Sequence, residues 1–415
     1  MAESIQYLLL GGGLASVWAA QTIRDHDAEG SILIVGMERH PPYDRPPLSK
    51  ESLVNDAFQP DDAYSKADGF YAEKGIQLRT GVRALSIDRA ARAVALDNGE
   101  TLHYEKLLIA TGSTPRSLSV PGADLGGVYC LRTIEQSEAI RIAFQHSRRA
   151  VIVGAGYMGM EVASGALVRG LETTIVEHHN QPWARFASPT LGAFMRRYYE
   201  SKGARFLFGE TVTAIEGQGA VSAVRTQAGQ RLEADVVVTA VGVTLNVDLP
   251  REAGLEMEGN DGVRVDEHLR TSDPAIWAAG DIASFSDVAL GKRWRAEHFL
   301  NAKWQGRAVG AIMAGGEKPY DQVPYFYSDF LDLHMALRGD PAAGKETRVL
   351  GSMDEAEFVE LYPGDDGTLR MGIGISHVEK NLDPISDGLE KLIRAKARVA
   401  DLTPDQVGLG ATVPA

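Results

Sequence analysis

Two glycine-rich turns, each set between an apolar strand and a helix, constrain this chain more than any other feature. The first turn, Gly11-Gly12-Gly13, follows Tyr7-Leu8-Leu9-Leu10. An apolar-rich run from Leu14 to Ile23 comes next, then Ser31-Ile32-Leu33-Ile34-Val35. Strand, turn, helix and strand in that order make a βαβ unit. Gly11 permits the tight turn, and Gly13 lets the backbone approach a pyrophosphate at the positive end of the helix. Ser16 stands where the G-x-G-x-x-G pattern has its third glycine, adding a hydroxymethyl group at the helix–strand contact. Glu38, just past the second strand, can accept both hydroxyls of an adenosine ribose.

The second turn repeats the arrangement. Ala150–Val153 is a strand, Gly154-Ala155-Gly156-Tyr157-Met158-Gly159 is a complete fingerprint, and Met160–Arg169 is a helix. Thr173–Val176 is a strand that ends at Glu177. Two such folds in one chain imply two dinucleotides, FAD and NAD(P) being the usual pair.

Length and composition set the outer limits. A chain of 415 residues holds two or three domains, and 44% hydrophobic with 24% charged residues is ordinary for a soluble protein. No apolar run is long enough to span a bilayer. The stretch Tyr7–Ala20 follows Glu3 rather than a basic segment, so it is not a secretion signal, and cytoplasmic residence is expected. The net charge of −14 argues against broad nucleic-acid binding. The single cysteine, Cys130, excludes an internal disulfide and reads as a small buried hydrophobe in the short strand Val128–Leu131. His178 and His179 are adjacent, and their side chains are not expected to converge on one ion, so no metal site is expected.

Between and beyond the two units, four prolines in Pro41–Pro47 predict an irregular, extended path that presents Arg45 and Lys50. Residues 76–98 alternate as strands do and turn at Asp97-Asn98-Gly99. Lys106–Ala110 is a buried strand ending in Thr111-Gly112. Further strands are expected at 205–215, 220–226 and 231–241, the last ending at Gly242. Thr271–Asp281 ends a strand on a carboxylate, at the edge where open α/β sheets bind ligands. A helix is expected from about Glu297 to Met313. The last hundred residues read as strands at Ser328–Arg338, Arg348–Ser352, Phe358–Tyr362 and Leu369–Ser376. A turn at Asp365-Asp366-Gly367 lies between the last two strands, a terminal helix is expected at Ser386–Val399, and the tail from Asp401 is expected to be poorly ordered.

In Gly11-Gly12-Gly13, Pro42–Lys50, Ala110-Thr111-Gly112, Leu131-Arg132-Thr133, Gly154–Glu161, Ile276–Asp281, Glu297-His298 and Tyr325–Asp329, the chain resembles the two-dinucleotide flavoprotein reductases. It is most similar to the ferredoxin reductases of oxygenase systems, with monodehydroascorbate reductases and apoptosis-inducing-factor-like flavoproteins as relatives. The resemblance runs in order over about 1–340. It implies an α/β fold class: two Rossmann-like dinucleotide-binding domains, for FAD and NAD, plus a C-terminal α+β interface domain. The FAD domain would be discontinuous, 1–115 and 247–325. The NAD domain would be 116–246, and the C-terminal domain 326–415. The resemblance further implies cofactor contacts at Gly11, Gly13, Leu14, Ala15, Glu38, Arg45, Lys50, Val82, Ala110, Thr111, Gly112, Arg132, Gly154, Gly156, Tyr157, Met158, Gly159, Glu177, Gly242, Gly280, Asp281, Glu297, His298 and Tyr327. Lys50 and Glu161 would be the catalytic pair, holding the nicotinamide of NADH near the flavin.

Two departures shape the expected chemistry. Disulfide reductases of this superfamily carry cysteine on the stretch corresponding to 40–53, where this chain has none, so the flavin would deliver electrons outward without a thiol relay. Tyr327 stands where ferredoxin reductases usually have tryptophan. A helix starting at Glu297 or His298 would direct its dipole at the flavin's pyrimidine edge, stabilising the charge left by reduction by roughly 0.3–2 kcal/mol. Lys292, Arg293, Arg295, Lys303 and Arg307 concentrate positive charge in an acidic chain, and Lys391, Arg394 and Arg398 form a second stripe.

The expected function is an FAD flavoprotein that takes a hydride from NADH and passes electrons one at a time to a ferredoxin-type iron–sulfur protein, as a monomer or homodimer with no nucleic-acid or membrane partner. Two alternatives stay open: a reductase of a small acceptor such as a quinone or monodehydroascorbate-like radical, and a slow redox-sensing flavoprotein.

Overall fold

The computed structural model describes residues 4–259, 261–344 and 346–410. The chain divides into two compact units: Met1–Asp44, Asp61–Thr114 and Thr244–Gln322 form one, and Arg45–Pro60, Pro115–Val243 and Val323–Ala415 the other.

The first unit is built on a seven-stranded sheet. Its parallel part runs Ile76–Arg79, Ile32–Val35, Ser4–Leu10, Thr101–Ile109 and Ile276–Ala278. Ser4–Leu10 is central, its apolar residues matched with both neighbours, Leu8 opposite Leu33 on one side and Leu107 on the other. A strand buried on both faces needs such a continuous apolar run. Ala84–Asp88 and Ala93–Leu96 extend the sheet antiparallel, turning into Thr101–Ile109 through the Asp97-Asn98-Gly99 loop. The first fingerprint helix, Leu14–His26, packs against the helix Phe299–Met313. Two glycines make that approach possible: a Cβ at Gly306 would stand 2.4 Å from Ala15 O, and one at Gly310 would stand 2.5 Å from Ala19 O.

The second unit contains a parallel sheet in the order Arg205–Phe208, Glu172–Glu177, Arg149–Val153, Val236–Thr239, Val128–Cys130. A three-stranded meander, Val212–Gln218, Ala220–Thr226 and Arg231–Glu233, packs its valines against that sheet. A five-stranded antiparallel sheet follows, in the order Tyr325–Phe330, Leu333–Gly339, Leu369–Ser376, Glu357–Pro363, Arg348–Ser352. The amphipathic helix Leu382–Arg394 lies on it, with Ile385 and Leu389 packed against Gly374 and Gly372.

Several expectations are corrected. The strand expected over Ser328–Arg338 is a hairpin, Tyr325–Phe330 paired with Leu333–Gly339, with Leu331 at φ 61° in its turn. The proline-rich segment is not irregular throughout. Pro46–Ser49 forms a 3₁₀ turn with prolines in its first positions, where no backbone N–H is required, and Glu51–Val54 continues as a helical turn. The terminal helix ends at Arg394. The segment beyond Asp401 is packed as far as described: Leu402 and Val407 are buried, and Pro384 O lies against Gly408. Residues 411–415 of that tail lie outside the described residues. Cys130 is half-buried rather than buried, with its Sγ accepting from Gln136 Nε2 at 3.3 Å, and burial pushes the thiol's pKa up. Among the described residues, no helix is long and apolar enough to cross a membrane.

Candidate active site

In the first unit the chain turns out of its central strand at Gly11, whose φ of 120° an L side chain rarely adopts. A Cβ there would stand 2.1 Å from Ala110 O, so glycine is required. Gly13 is the N-cap of the fingerprint helix, where no side chain caps the amides and a Cβ would meet nothing within 4 Å. Leu14 and Ala15 open that helix and are buried. The space above Gly13, beside uncapped amides, fits a dinucleotide pyrophosphate. Ser16 is fully buried, so its hydroxymethyl group is accommodated in the helix contact.

Around this turn, Glu38 accepts from the Tyr43 hydroxyl, and Val82 N–H donates to Gly36 O at 3.0 Å. Thr111 Oγ1 donates to Asn246 O at 2.7 Å, while Asn246 returns its amide to Thr111 O at 2.9 Å and its own N–H to Gly112 O at 2.9 Å. Asn246 therefore fixes the Thr111-Gly112 turn, a role invisible in the sequence because 135 residues separate the partners. Asp281 accepts from Ser113 Oγ at 2.7 Å, and Gly280, at φ 79°, donates its N–H to Gln305 Oε1 at 2.8 Å. His298 is the N-cap of Phe299–Met313, its Nδ1 accepting from Leu300 N–H at 3.2 Å. Glu297 pairs with Arg295 at 2.5 Å.

In the second unit Gly154 repeats the geometry of Gly11, with φ 105° and a Cβ that would stand 2.5 Å from Ala240 O. Gly156 is open like Gly13, and Gly159 allows the helix Tyr157–Val168 to approach Gly154 O, which a Cβ would strike at 1.9 Å. This second cradle also fits a dinucleotide. Glu177 closes its strand, 6% exposed, with Oε2 accepting from Ala155 N–H at 2.6 Å and Oε1 from His179 N–H at 2.9 Å. The carboxylate thereby holds the fingerprint turn itself. Gly242, at φ 99°, accepts on its carbonyl from Arg116 N–H at 2.9 Å. Tyr157 stacks on Phe186 at 4.6 Å, and burial, with the Glu161 charge second, pushes its hydroxyl pKa up. Met158, one residue on, is half-buried in the first helical turn.

One expectation about this region fails. His178 and His179 do converge: their rings lie 3.8 Å apart, and atoms of both histidines and Glu177 that could bind a metal lie within 4.8 Å of one another. They follow the end of the strand, so its alternation of side chains no longer separates them.

Glu161 is a buried carboxylate on the second fingerprint helix. Ser49 Oγ donates to its Oε2 and Ser328 Oγ to its Oε1, while Lys50 Nζ stands 3.5 Å from Oε1. Lys50 also lies 3.5 Å from Asp329 Oδ2 and 5.3 Å from the centre of the Tyr327 ring. Arg45 donates to the carbonyl of Arg132 in the same unit. Thus the structure brings Lys50, Glu161 and Tyr327 together. It adds Ser49, Ser328 and Asp329, which the sequence showed only as neighbours of those residues.

The expected basic cluster divides. Arg293 Nη1 donates to Val265 O and Ser284 O, at 2.8 and 2.6 Å, and Arg295 pairs with Asp261 at 3.0 Å. Lys303, Arg307 and the distant Lys66 surround Trp18 instead, at 4.6, 4.1 and 3.5 Å from its ring centre. Burial, then the neighbouring cations, lowers the Lys66 and Lys303 pKa values. In the second stripe, Arg394 pairs with Glu390 at 3.1 Å.

The family model of the pyridine nucleotide-disulphide oxidoreductases matches residues 5–306. The chain belongs to this family. It is 34% identical to the anthranilate 1,2-dioxygenase system ferredoxin–NAD(+) reductase component of Burkholderia cepacia, over 88% of this chain and 89% of that protein. The ferredoxin reductase for the CYP199A2 system from Rhodopseudomonas palustris superposes with a TM-score of 0.90 at 32% identity, covering 98% of this chain and 97% of that one. A covalent putidaredoxin reductase–putidaredoxin complex gives a TM-score of 0.90 at 29% identity, covering 98% of this chain and 96% of the other. The enzyme is an oxidoreductase using FAD and NAD(H), and its two-Rossmann fold with a C-terminal α+β domain is that of these reductases.

Proposed function

We propose that the enzyme takes a hydride from NADH at Lys50 and Glu161 and passes electrons singly to a ferredoxin-type iron–sulfur protein. The observation that carries this reading is the pairing of Lys50, from the proline-rich segment, with Glu161 on the second fingerprint helix, in a chain whose relatives are named ferredoxin–NAD(+) reductases. Bound flavin supplies the conversion between a two-electron donor and a one-electron acceptor. The chain's own residues do the rest. The open turns at Gly13 and Gly156 seat the two pyrophosphates, in domains 1–115 with 247–325 for FAD and 116–246 for NAD. Glu38 and Glu177 take the riboses, and Asp281, with Ser113 on its carboxylate, holds the ribityl or pyrophosphate end of FAD. Residues 40–53 contain no cysteine, so no thiol mediates the exit of electrons.

An acidic partner suits the cations around Trp18, since the chain as a whole carries −14 and needs a local positive face for encounter. The same net charge favours neither nucleic acid nor an anionic membrane, and a monomer or homodimer in the cytoplasm completes the reading. Turnover with an added acidic [2Fe–2S] ferredoxin tests it against a neutral quinone. Ferredoxin reduction is expected to be the faster, to slow as salt screens charge beyond about 8–10 Å, and to fall with Lys303→Glu or Arg307→Glu. Flavin bleaching by NADH should not change with those reversals. Quinone turnover that is faster and indifferent to both would select the small-acceptor reading.

A further inference from the structure

Glu161 accepts a serine hydroxyl on each of its two oxygens, from Ser49 and Ser328. Its charge is therefore already stabilised by hydrogen bonds, and Lys50 does not close on it. The 3.5 Å separation exceeds the about 2.7–2.9 Å of a direct charge-assisted hydrogen bond. Lys50 stands equally far, 3.5 Å, from Asp329 Oδ2, and its side chain is 12% exposed. A mostly buried ammonium placed evenly between two carboxylates is held by their opposition. Removing one anion lets the other draw it in.

Asp329 is itself aimed. Its Oδ1 pairs with His334 Nδ1 at 2.7 Å, which leaves Oδ2 for Lys50. Asp329 and His334 are directly opposite in the register of the hairpin Tyr325–Phe330 and Leu333–Gly339. The hairpin turn is anchored separately. Asp332 takes the Tyr198 hydroxyl, Lys202 Nζ at 2.9 Å and His377 Nδ1 at 3.3 Å. The pair thus sits on backbone fixed at the turn, and its job is not to hold the hairpin together.

We propose that Asp329 and His334 are positioning residues for Lys50: Asp329 as the second carboxylate that keeps the ammonium off Glu161, and His334 as the group that orients Asp329. This rests on the reading of Lys50 and Glu161 as the hydride-transfer site. The test uses the full-length, FAD-loaded protein and its Asp329→Asn, His334→Ala and His334→Gln variants, with two readouts. The first is the rate at which an N-hydroxysuccinimide ester labels the Lys50 amine, followed by mass spectrometry. Asp329→Asn is expected to change that rate several-fold, His334→Ala to change it in the same direction, and His334→Gln, which keeps an N–H donor, to restore it. The second is stopped-flow bleaching of the flavin by NADH. Its limiting rate should fall about tenfold in Asp329→Asn through misplacement of Lys50, with the apparent NADH affinity and flavin occupancy retained.

A merely structural role would instead lower occupancy and affinity together, with no rescue by glutamine. Should Asp329→Asn not fold, His334→Ala carries the same readouts. Unchanged Lys50 labelling in these variants overturns the proposal. A Glu161→Ala variant separates the two claims. If it bleaches at the parent rate, the hydride-site reading fails, while the labelling still decides what positions Lys50.

Discussion

Glu177 has a structural role that is seen and a specificity role that is proposed. Its carboxylate accepts from the Ala155 and His179 amides, so it ties the fingerprint turn to the strand that carries it. In the proposed cofactor site the same group would accept the ribose 2′-hydroxyl and repel a 2′-phosphate. Glu177→Ala is expected to lower kcat/KM for NADH by about tenfold, the value of a hydrogen bond to a charged group, and to erase most of the preference over NADPH. Steady-state rates with both cofactors check this, and equal efficiency in the parent enzyme would remove the role. Asp281→Ala should lower the flavin content of purified protein, read from the ratio of flavin to protein absorbance, because Ser113 would lose its acceptor and FAD a charge-assisted bond. The glycine turns of both fingerprints were legible because backbone geometry dictates them. Ser49, Ser328 and Asp329 were not, because a hydroxyl or carboxylate becomes part of a site only through partners more than a hundred residues away.

At the scale of elements, long apolar periodicities match the strands and helices found, and turns match less well. The hairpin of Tyr325–Phe330 and Leu333–Gly339 differs from the single strand expected over Ser328–Arg338 because no glycine or proline lies between Phe330 and Leu333 to mark the turn. Leucine carries the positive φ there instead. The packing of Phe299–Met313 on Leu14–His26 was equally hidden, since Gly306 and Gly310 look like ordinary helix-weakening residues until the facing backbone is seen. Gly310→Val should destabilise the protein by about 1–3 kcal/mol through overpacking, measured by denaturant unfolding of the FAD-loaded enzyme.

Asp235 anchors the start of the second fingerprint strand through the Arg148 and Arg149 amides, both at 3.0 Å, and the Arg149 guanidinium at 2.9 Å. The guanidinium first, then the two amides, hold its carboxyl below the ordinary value of 3.8, against the opposing pull of burial. A carboxyl lowered on folding stabilises fully above its unfolded value and loses that contribution as pH falls through the folded one. Asp235→Asn should therefore cost about 1 kcal/mol at neutral pH, discounted for solvent screening, and the gap from the parent should close in acid.

Over the whole molecule, two dinucleotide cradles of the same design supply one enzyme with an electron-pair donor and a converter. The family pattern was readable because both cradles lie near the starts of their folds, with the intervening motifs in order. The destination of the electrons was less readable, since Arg293 and Arg295 were spent within the chain and Lys66 joined the cations around Trp18 from far away. The most direct measurement is an anaerobic count of ferredoxin reduced per NADH consumed, followed by the separate absorbances of the two. A yellow protein that reduces two one-electron ferredoxins for each NADH would bear out the proposed route. Protein that cannot be loaded with FAD, or NADH consumed with no ferredoxin reduced, would contradict it.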